Sequence, residues 1–298
     1  MTFIRSFLFV PAASEKMLGK IDGSDADAVI LDLEDAVVES QKPKARELAA
    51  EYLTERPAGS RQPQIWVRVN AIGSSHWDAD LNAILQHEPD GIVLPKAEGP
   101  DDVEKLAGRL DAARLGPDVK ILAIATETAA APFRLGDYAN AKLDRLYGMT
   151  WGAEDLSAAL GASTNIDGAG RYRFTYELVR SLCLMGARAA GVEPIEGVFT
   201  DFRDLEGLAA SCQAAREDGF VGRLAIHPAQ VPIINNAFTP GADEIDHAHA
   251  VVAAFDASPG AGAVSLDGRM LDIPHLTQAR AIIARSKALS QKTEGAGA

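Results

Sequence analysis

A chain of 298 residues with 47% hydrophobic and 24% charged side chains has the make-up of a globular protein with a sizeable core, which excludes fibrous and intrinsically disordered classes. Its 42 Asp and Glu against 29 Lys and Arg give a formal net charge of −13, a field that repels nucleic acid and anionic membrane surfaces, so an anionic ligand needs a local basic pocket. No run reaches the roughly 20 apolar residues of a membrane helix, and Cys183 and Cys212, without metal-ligand spacing, predict buried free thiols in a reducing compartment.

The first apolar run, Ser6 to Ala12, is too short for the core of a signal peptide and contains Pro11, so it predicts a strand, and a cytoplasmic location is expected. Helix-start chemistry follows at Ser14 to Leu18. AVILDL, beginning at Ala28, predicts a second strand that ends in the acidic cluster Asp32, Glu34 and Asp35, ahead of a helix from Pro43 to Glu55. IWVRV from Ile65 predicts the third strand, with a helix at Trp77 to Leu85, and GIVLPK from Gly91 the fourth, with a helix at Asp101 to Arg114. KILAIAT from Lys120 and LDRLYGMT from Leu143 predict the fifth and sixth. IEGVFT from Ile195, with a helix at Asp201 to Glu217, and GRLAIHP from Gly222 complete the series.

Strands alternating with helical patterns imply βαβ units and a parallel sheet; eight of them within residues 1–238 predict a closed (β/α)8 TIM barrel. The runs are continuously apolar rather than alternating, as buried parallel strands are. The rival, an open doubly wound sheet, wants a phosphate loop after its first strand, and PAASEKM has no Gly-rich turn. Residues 239–298 predict a C-terminal lid or arm: a break at Thr239-Pro240-Gly241, a helix from Glu244 to Ala257, a Gly-rich turn, a hairpin around Asp267-Gly268, and a last helix from Thr277 to Leu289. Glu294 to Ala298 is expected to fray.

Charges at strand ends mark where such folds keep their chemistry. Glu127 and Asp155 end the fifth and sixth runs, and carboxylates on adjacent strand ends can share one hard cation, for which Mg²⁺ is the natural choice. The alternative for each is a helix cap. Arg68, inside the third run, has the planar fork that grips a carboxylate; the alternative is a buried pairing with Asp32 or Glu34. Glu34 is placed to hold Arg68 or a metal-bound water. Lys96 could in principle form a Schiff base, but an ordinary salt bridge is the expected role. His227 is expected to be a buried, hydrogen-bonded histidine, and His247 and His249, two apart on a helix, do not form a zinc pair.

RSFLFVPA, ILDLEDAV, VRVN, LPKAE, TETA, WGAEDLSAALG, AIHPAQV and DGRMLDIPHLTQAR, in this order over almost the whole chain, resemble the citrate lyase β-subunit-like branch of the HpcH/HpaI aldolase superfamily, whose members include malyl-CoA and citramalyl-CoA lyases. The resemblance implies a Mg²⁺-dependent TIM-barrel lyase, with Mn²⁺ as an alternative metal, that breaks or makes a carbon–carbon bond between an acyl-CoA thioester and a 2-oxo acid. It implies Glu127 and Asp155 as metal ligands. Arg68 would hold the oxo-acid carboxylate with backbone N–H groups near Gly152 to Asp155, and Glu34 would be a substrate-side residue. It further implies Asp272 as a lid aspartate serving a neighbouring subunit's site, Arg5 and Lys16 near the CoA phosphates, and a homotrimer or homohexamer. A citrate lyase β subunit acting on an acyl-carrier protein, or a non-catalytic ligand-binding paralogue, is the alternative.

Overall fold

The computed structural model describes residues 3–295. Eight parallel strands close into a barrel in sequence order: β1 (Ser6–Pro11), β2 (Ala28–Asp32), β3 (Gln64–Arg68), β4 (Gly91–Leu94), β5 (Lys120–Ile124), β6 (Leu146–Thr150), β7 (Glu193–Glu196) and β8 (Gly222–Ala225). The outer layer is α1 (Glu15–Leu18), α2 (Lys42–Glu55), α3 (Trp77–Ile84), α4 (Pro100–Ala112), α5 (Ala153–Ala159), α6 (Phe174–Ala189), α7 (Leu205–Asp218) and α8 (Val231–Ala237), with a 3₁₀ stretch, Ala131–Asn140, after β5. This is the predicted (β/α)8 architecture. β2, β4 and β6 are buried at every residue, which is why they read as unbroken apolar runs.

Trp66 fills the barrel interior. Its ring meets Phe7 edge-on at 5.4 Å and Tyr147 at 5.6 Å. The space comes from Gly91 on β4, where an added Cβ would lie 2.3 Å from the indole. Side chains two apart on a strand share a face, so Arg68 points the same way as Trp66, one layer nearer the carboxyl end.

Two predicted boundaries differ from the structure. The seventh strand is Glu193–Glu196, not Ile195 to Thr200, because the Glu196 carboxylate accepts the N–H of Gly197 (2.8 Å) and turns the chain out of the sheet. The helix expected from Asp201 starts at Leu205: Asp204 is its N-cap, accepting the Gly207 N–H at 2.8 Å, while Asp201 closes the turn before it.

The chain divides into two compact units, Arg5–Asn235 and a second built from Asn236 onward with the first residues of the chain. The second unit holds α9 (Ala242–Asp256), an antiparallel hairpin of β9 (Ala263–Leu266) and β10 (Arg269–Asp272), and α10 (Ile273–Gly295). Positive φ at both Asp267 (51°) and Gly268 (75°) is the backbone a two-residue hairpin turn requires. Ala248, Val251 and Phe255 of α9 pack with Leu271, Leu276 and Ala279 as its core. Glu244 lies inside α9 rather than at its start, since its carboxylate reaches back to the Gly241 N–H at 3.4 Å. Likewise α10 begins at Ile273, four residues before the predicted Thr277, whose hydroxyl instead donates to the Ile273 carbonyl within the helix (3.1 Å). The expected fraying at Glu294 to Ala298 falls mostly outside the described residues. No described helix is long and apolar enough to cross a membrane.

Candidate active site

The carboxyl ends of β2, β3, β5 and β6 bring Asp32, Arg68, Glu127 and Asp155 around one cavity of about 290 Å³, whose remaining wall includes Phe9, Ile124, Trp151, Val198 and Leu224. Register sets the first pair, since Asp32 and Arg68 are directly opposite on β2 and β3. The guanidinium grips fully buried Asp32 with two bonds, Nε to Oδ1 at 2.7 Å and Nη2 to Oδ2 at 2.6 Å, and its Nη1 lies 3.0 Å from Glu34. Burial alone would lower its pKa, but the bonds to Asp32 and the charges of Asp32, Glu34 and Glu127 raise it, so the cation is permanent. The pairing with Asp32 and Glu34 is therefore present, and Arg68 also lines the cavity.

Glu127 is only 5% exposed, and burial, reinforced by the negative charge of Asp155, pushes its carboxyl up to about 8. It caps no helix; one oxygen accepts the backbone N–H of Lys96 at 2.7 Å. Asp155 sits in the first turn of α5, whose N-cap, Gly152, offers no side chain. Glu34 is also raised, to about 6, by burial that the neighbouring Arg68 and Lys96 only partly offset. Lys96 bonds Glu34 and lies 3.2 Å from Asp155 and 3.5 Å from Asp35. Burial would lower its pKa, yet the Glu34 bond and the surrounding carboxylates raise it, which keeps the ammonium protonated and unsuited to nucleophilic attack.

The donor chemistry fits Mg²⁺. Glu127 and Asp155 line one cavity with no His or Cys among its lining residues. Among the described residues no group of three or more His, Cys, Asp or Glu is placed to hold a metal ion, so a cation held by this pair would take its other ligands from water and substrate oxygens, as Mg²⁺ does. Gly152 shapes this site: a Cβ there would lie 2.8 Å from Glu127 Cγ and 3.0 Å from Oε1. Its backbone is extended (φ −123°), so Gly152→Ala carries no backbone strain and acts only by pushing Glu127 aside. We expect this variant to weaken Mg²⁺ binding about tenfold or more while shifting the melting temperature little, as calorimetric titration and thermal melts would show.

Supporting contacts that local sequence patterns did not reveal hold the acidic loop in place. Buried Lys42 donates to the carbonyls of Leu33 (2.9 Å) and Glu34 (3.0 Å) and to Asn70 Oδ1 (2.8 Å), and Asn70 in turn donates to buried Asp80 at 2.6 Å. Asn70 lies two residues beyond the end of β3, where no strand periodicity marks it. On the other wall, Trp151 donates its indole N–H to Glu196, which also binds Arg180 at 2.7 Å.

Other expected site residues lie elsewhere. Arg5 precedes β1 and therefore sits at the opposite, amino-terminal end of the barrel, bound to Asp27 through both Nε (2.8 Å) and Nη2 (2.9 Å); the expectation of a CoA contact there is corrected. Lys16 is exposed on α1, which follows β1 and so starts from the carboxyl-end face. His227 is exposed, not buried: it accepts the Ala229 N–H as the N-cap of a short 3₁₀ turn and stacks on Phe202 at 5.0 Å. Cys183 and Cys212 are buried and free, and burial raises both thiols, which makes them inert. Asp272, at the end of β10 in the second unit, is half-exposed and has His275 Nδ1 2.5 Å from its Oδ1.

The chain is similar to known proteins over nearly its full length. A (3S)-malyl-CoA thioesterase of Cereibacter sphaeroides strain KD131 is 36% identical over 288 residues, covering 96% of this chain and 95% of that protein. The mitochondrial citramalyl-CoA lyase of Rattus norvegicus is 31% identical, covering 97% and 87%. The crystal structure of CitE from Mycobacterium tuberculosis in complex with magnesium, acetoacetate and coenzyme A superposes with a TM-score of 0.78 at 35% identity, covering 96% of this chain and 98% of that one. With the HpcH/HpaI aldolase/citrate lyase family model also matching residues 5–228, across the barrel and all four charged strand ends, the chain belongs to the HpcH/HpaI aldolase/citrate lyase family.

Proposed function

We propose that this enzyme is a Mg²⁺-dependent carbon–carbon lyase that cleaves, or forms, a 3-hydroxyacyl-CoA thioester such as malyl-CoA or citramalyl-CoA, exchanging it with an acyl-CoA and a 2-oxo acid. The observation that carries this reading is that buried Glu127 and partly exposed Asp155 share one cavity with the Arg68 guanidinium. Mg²⁺, or Mn²⁺ in its place, held by Glu127 and Asp155 would supply Lewis-acid polarisation of the substrate oxygens. Arg68 orients the oxo-acid carboxylate, and Glu34 and Asp32 fix the guanidinium plane. The N–H groups of Ala153 to Asp155, in the first turn of α5 and so without helical partners, face the same anion. Phe9, Trp151 and Leu224 form the apolar wall that excludes water from the reacting carbons.

Asp272 is the proposed proton carrier. In condensation its carboxylate takes the α-proton of the acyl thioester, and in cleavage its acid form returns a proton to that carbon, with His275 holding the carboxyl in place. The arm is proposed to serve a neighbouring subunit's site in a homotrimer or homohexamer, and Lys16 to meet the CoA phosphates. Asp272→Asn is then expected to lower turnover about 10²-fold or more while leaving Mg²⁺ affinity unchanged; mixing it with a barrel-site variant such as Arg68→Met should restore activity in hybrid oligomers.

A panel of CoA esters, each assayed for oxo acid and acyl-CoA released in equal amounts, tests the reading. Stoichiometric release from at least one 3-hydroxyacyl-CoA is the expected result. Free CoA appearing without oxo acid would instead mark a thioesterase, the activity named for the Cereibacter sphaeroides relative.

A further inference from the structure

Lys96 touches both halves of the carboxylate pair. Its backbone N–H is held by Glu127 Oε2 at 2.7 Å, and its ammonium lies 3.2 Å from Asp155 Oδ1 while bonding Glu34. The residue sits at φ 53°, in the left-handed region that a side chain other than glycine rarely adopts, at the point where β4 leaves the sheet. A strained backbone of this kind persists because surrounding bonds fix it, and here one of those bonds comes from Glu127 itself. Glu127 thus fixes the backbone from which the side chain starts, while the ammonium contacts Glu34 and Asp155.

We infer that Lys96 is a built-in counter-ion whose ammonium holds the acidic cluster together before a divalent cation arrives, and which must release Asp155, while keeping Glu34, as the cation enters. Glu127 and Asp155 line the cavity, buried Glu34 contacts Arg68, which lines it too, and Lys96 is the one cation in contact with both Glu34 and Asp155 among the described residues. Arg68 cannot take this part, because its Nε and Nη2 are committed to Asp32. A resident ammonium and an incoming divalent cation then compete for one oxygen set, so Lys96 stabilises the metal-free site and weakens metal binding by the same interaction. Lys96 acts here as a positioning residue rather than as a reacting group.

This inference rests on the metal reading of Glu127 and Asp155, and one experiment separates the two. Calorimetric titration with Mg²⁺ alone, together with thermal melts with and without Mg²⁺, is carried out on the full chain, on Lys96→Met and on Lys96→Arg. The expected result is that Lys96→Met binds Mg²⁺ at least about fivefold more tightly, melts lower than wild type without metal, and gains more from Mg²⁺. Lys96→Arg stays near wild type in both readouts. A Lys96→Met chain that folds only when Mg²⁺ is present supports the inference equally, and Lys96→Gln, which keeps a donor for Glu34, supplies the affinity comparison if Lys96→Met does not fold at all. Unchanged or weaker Mg²⁺ affinity in the neutral variants overturns the counter-ion role and leaves the metal site standing. Absence of Mg²⁺ binding by wild type removes the metal reading itself.

Discussion

Glu127→Gln is expected to lower kcat/KM by at least about 10³-fold and, in the same protein, to raise the melting temperature of the metal-free form. The two effects have one cause. Burial and the adjacent Asp155 raise the Glu127 carboxyl from its ordinary 4.5 to about 8, so the folded protein holds a proton there that the unfolded chain has released. A raised carboxyl makes stability fall as pH rises from about 4.5 to about 8, because over that window folding must take up a proton. At pH 7 the cost is roughly 3 kcal/mol, and a neutral Gln, whose carbonyl can still accept the Lys96 N–H, removes it. Melts across pH should therefore converge near pH 5 and separate toward pH 8. Mg²⁺ binding by wild type should release close to one proton at pH 7, measurable by titration calorimetry in buffers of different ionisation enthalpy.

Arg68→Met has the second large effect, and it falls on stability as well as activity. It leaves Asp32, fully buried, and Glu34, 5% exposed, without the guanidinium that bridges them. Removing one partner of such a buried group costs about 3–5 kcal/mol, a shift that urea unfolding would read directly. In the condensation direction, KM for the oxo acid should rise about 10²-fold or more. Arg68→Lys restores the charge without the fork, so it recovers part of the stability and little of the affinity.

The barrel and its charged strand ends were legible because parallel strands covered on both faces need uninterrupted apolar runs, and a charge can follow only where the strand surfaces. Glu127, Asp155, Arg68 and Glu34 were singled out that way; the first three line one cavity, and Glu34 contacts Arg68. The same pattern does not sort roles. Glu196 also ends a strand, yet it is spent on Trp151, Gly197 and Arg180. The salt-bridge role of Lys96 at the end of the fourth run was legible, but its left-handed backbone and its bond to Glu127, 31 residues away, leave no local periodicity and were not. Lys42 to Asn70 and Asp32 to Arg68 are contacts of the same non-local kind, though strand register makes the second predictable once the barrel is known. Arg5 illustrates the opposite case. Its position just before β1 already places it at the amino-terminal end, so the barrel prediction itself argued against a role beside residues at the carboxyl ends.

Asp272 lies in a separate unit from the barrel, beside His275, and hairpin and helix signals could place it on an arm but not over a site. The hybrid-oligomer experiment addresses that step. The central claim concerns the metal, and activity of protein stripped with EDTA, titrated back with Mg²⁺, tests it most directly. The account predicts no release of oxo acid from a cleaved 3-hydroxyacyl-CoA after stripping and recovery as the Glu127–Asp155 site fills, with Glu127→Gln failing to recover. Full activity in EDTA, accompanied by borohydride trapping of substrate on Lys96, would contradict it.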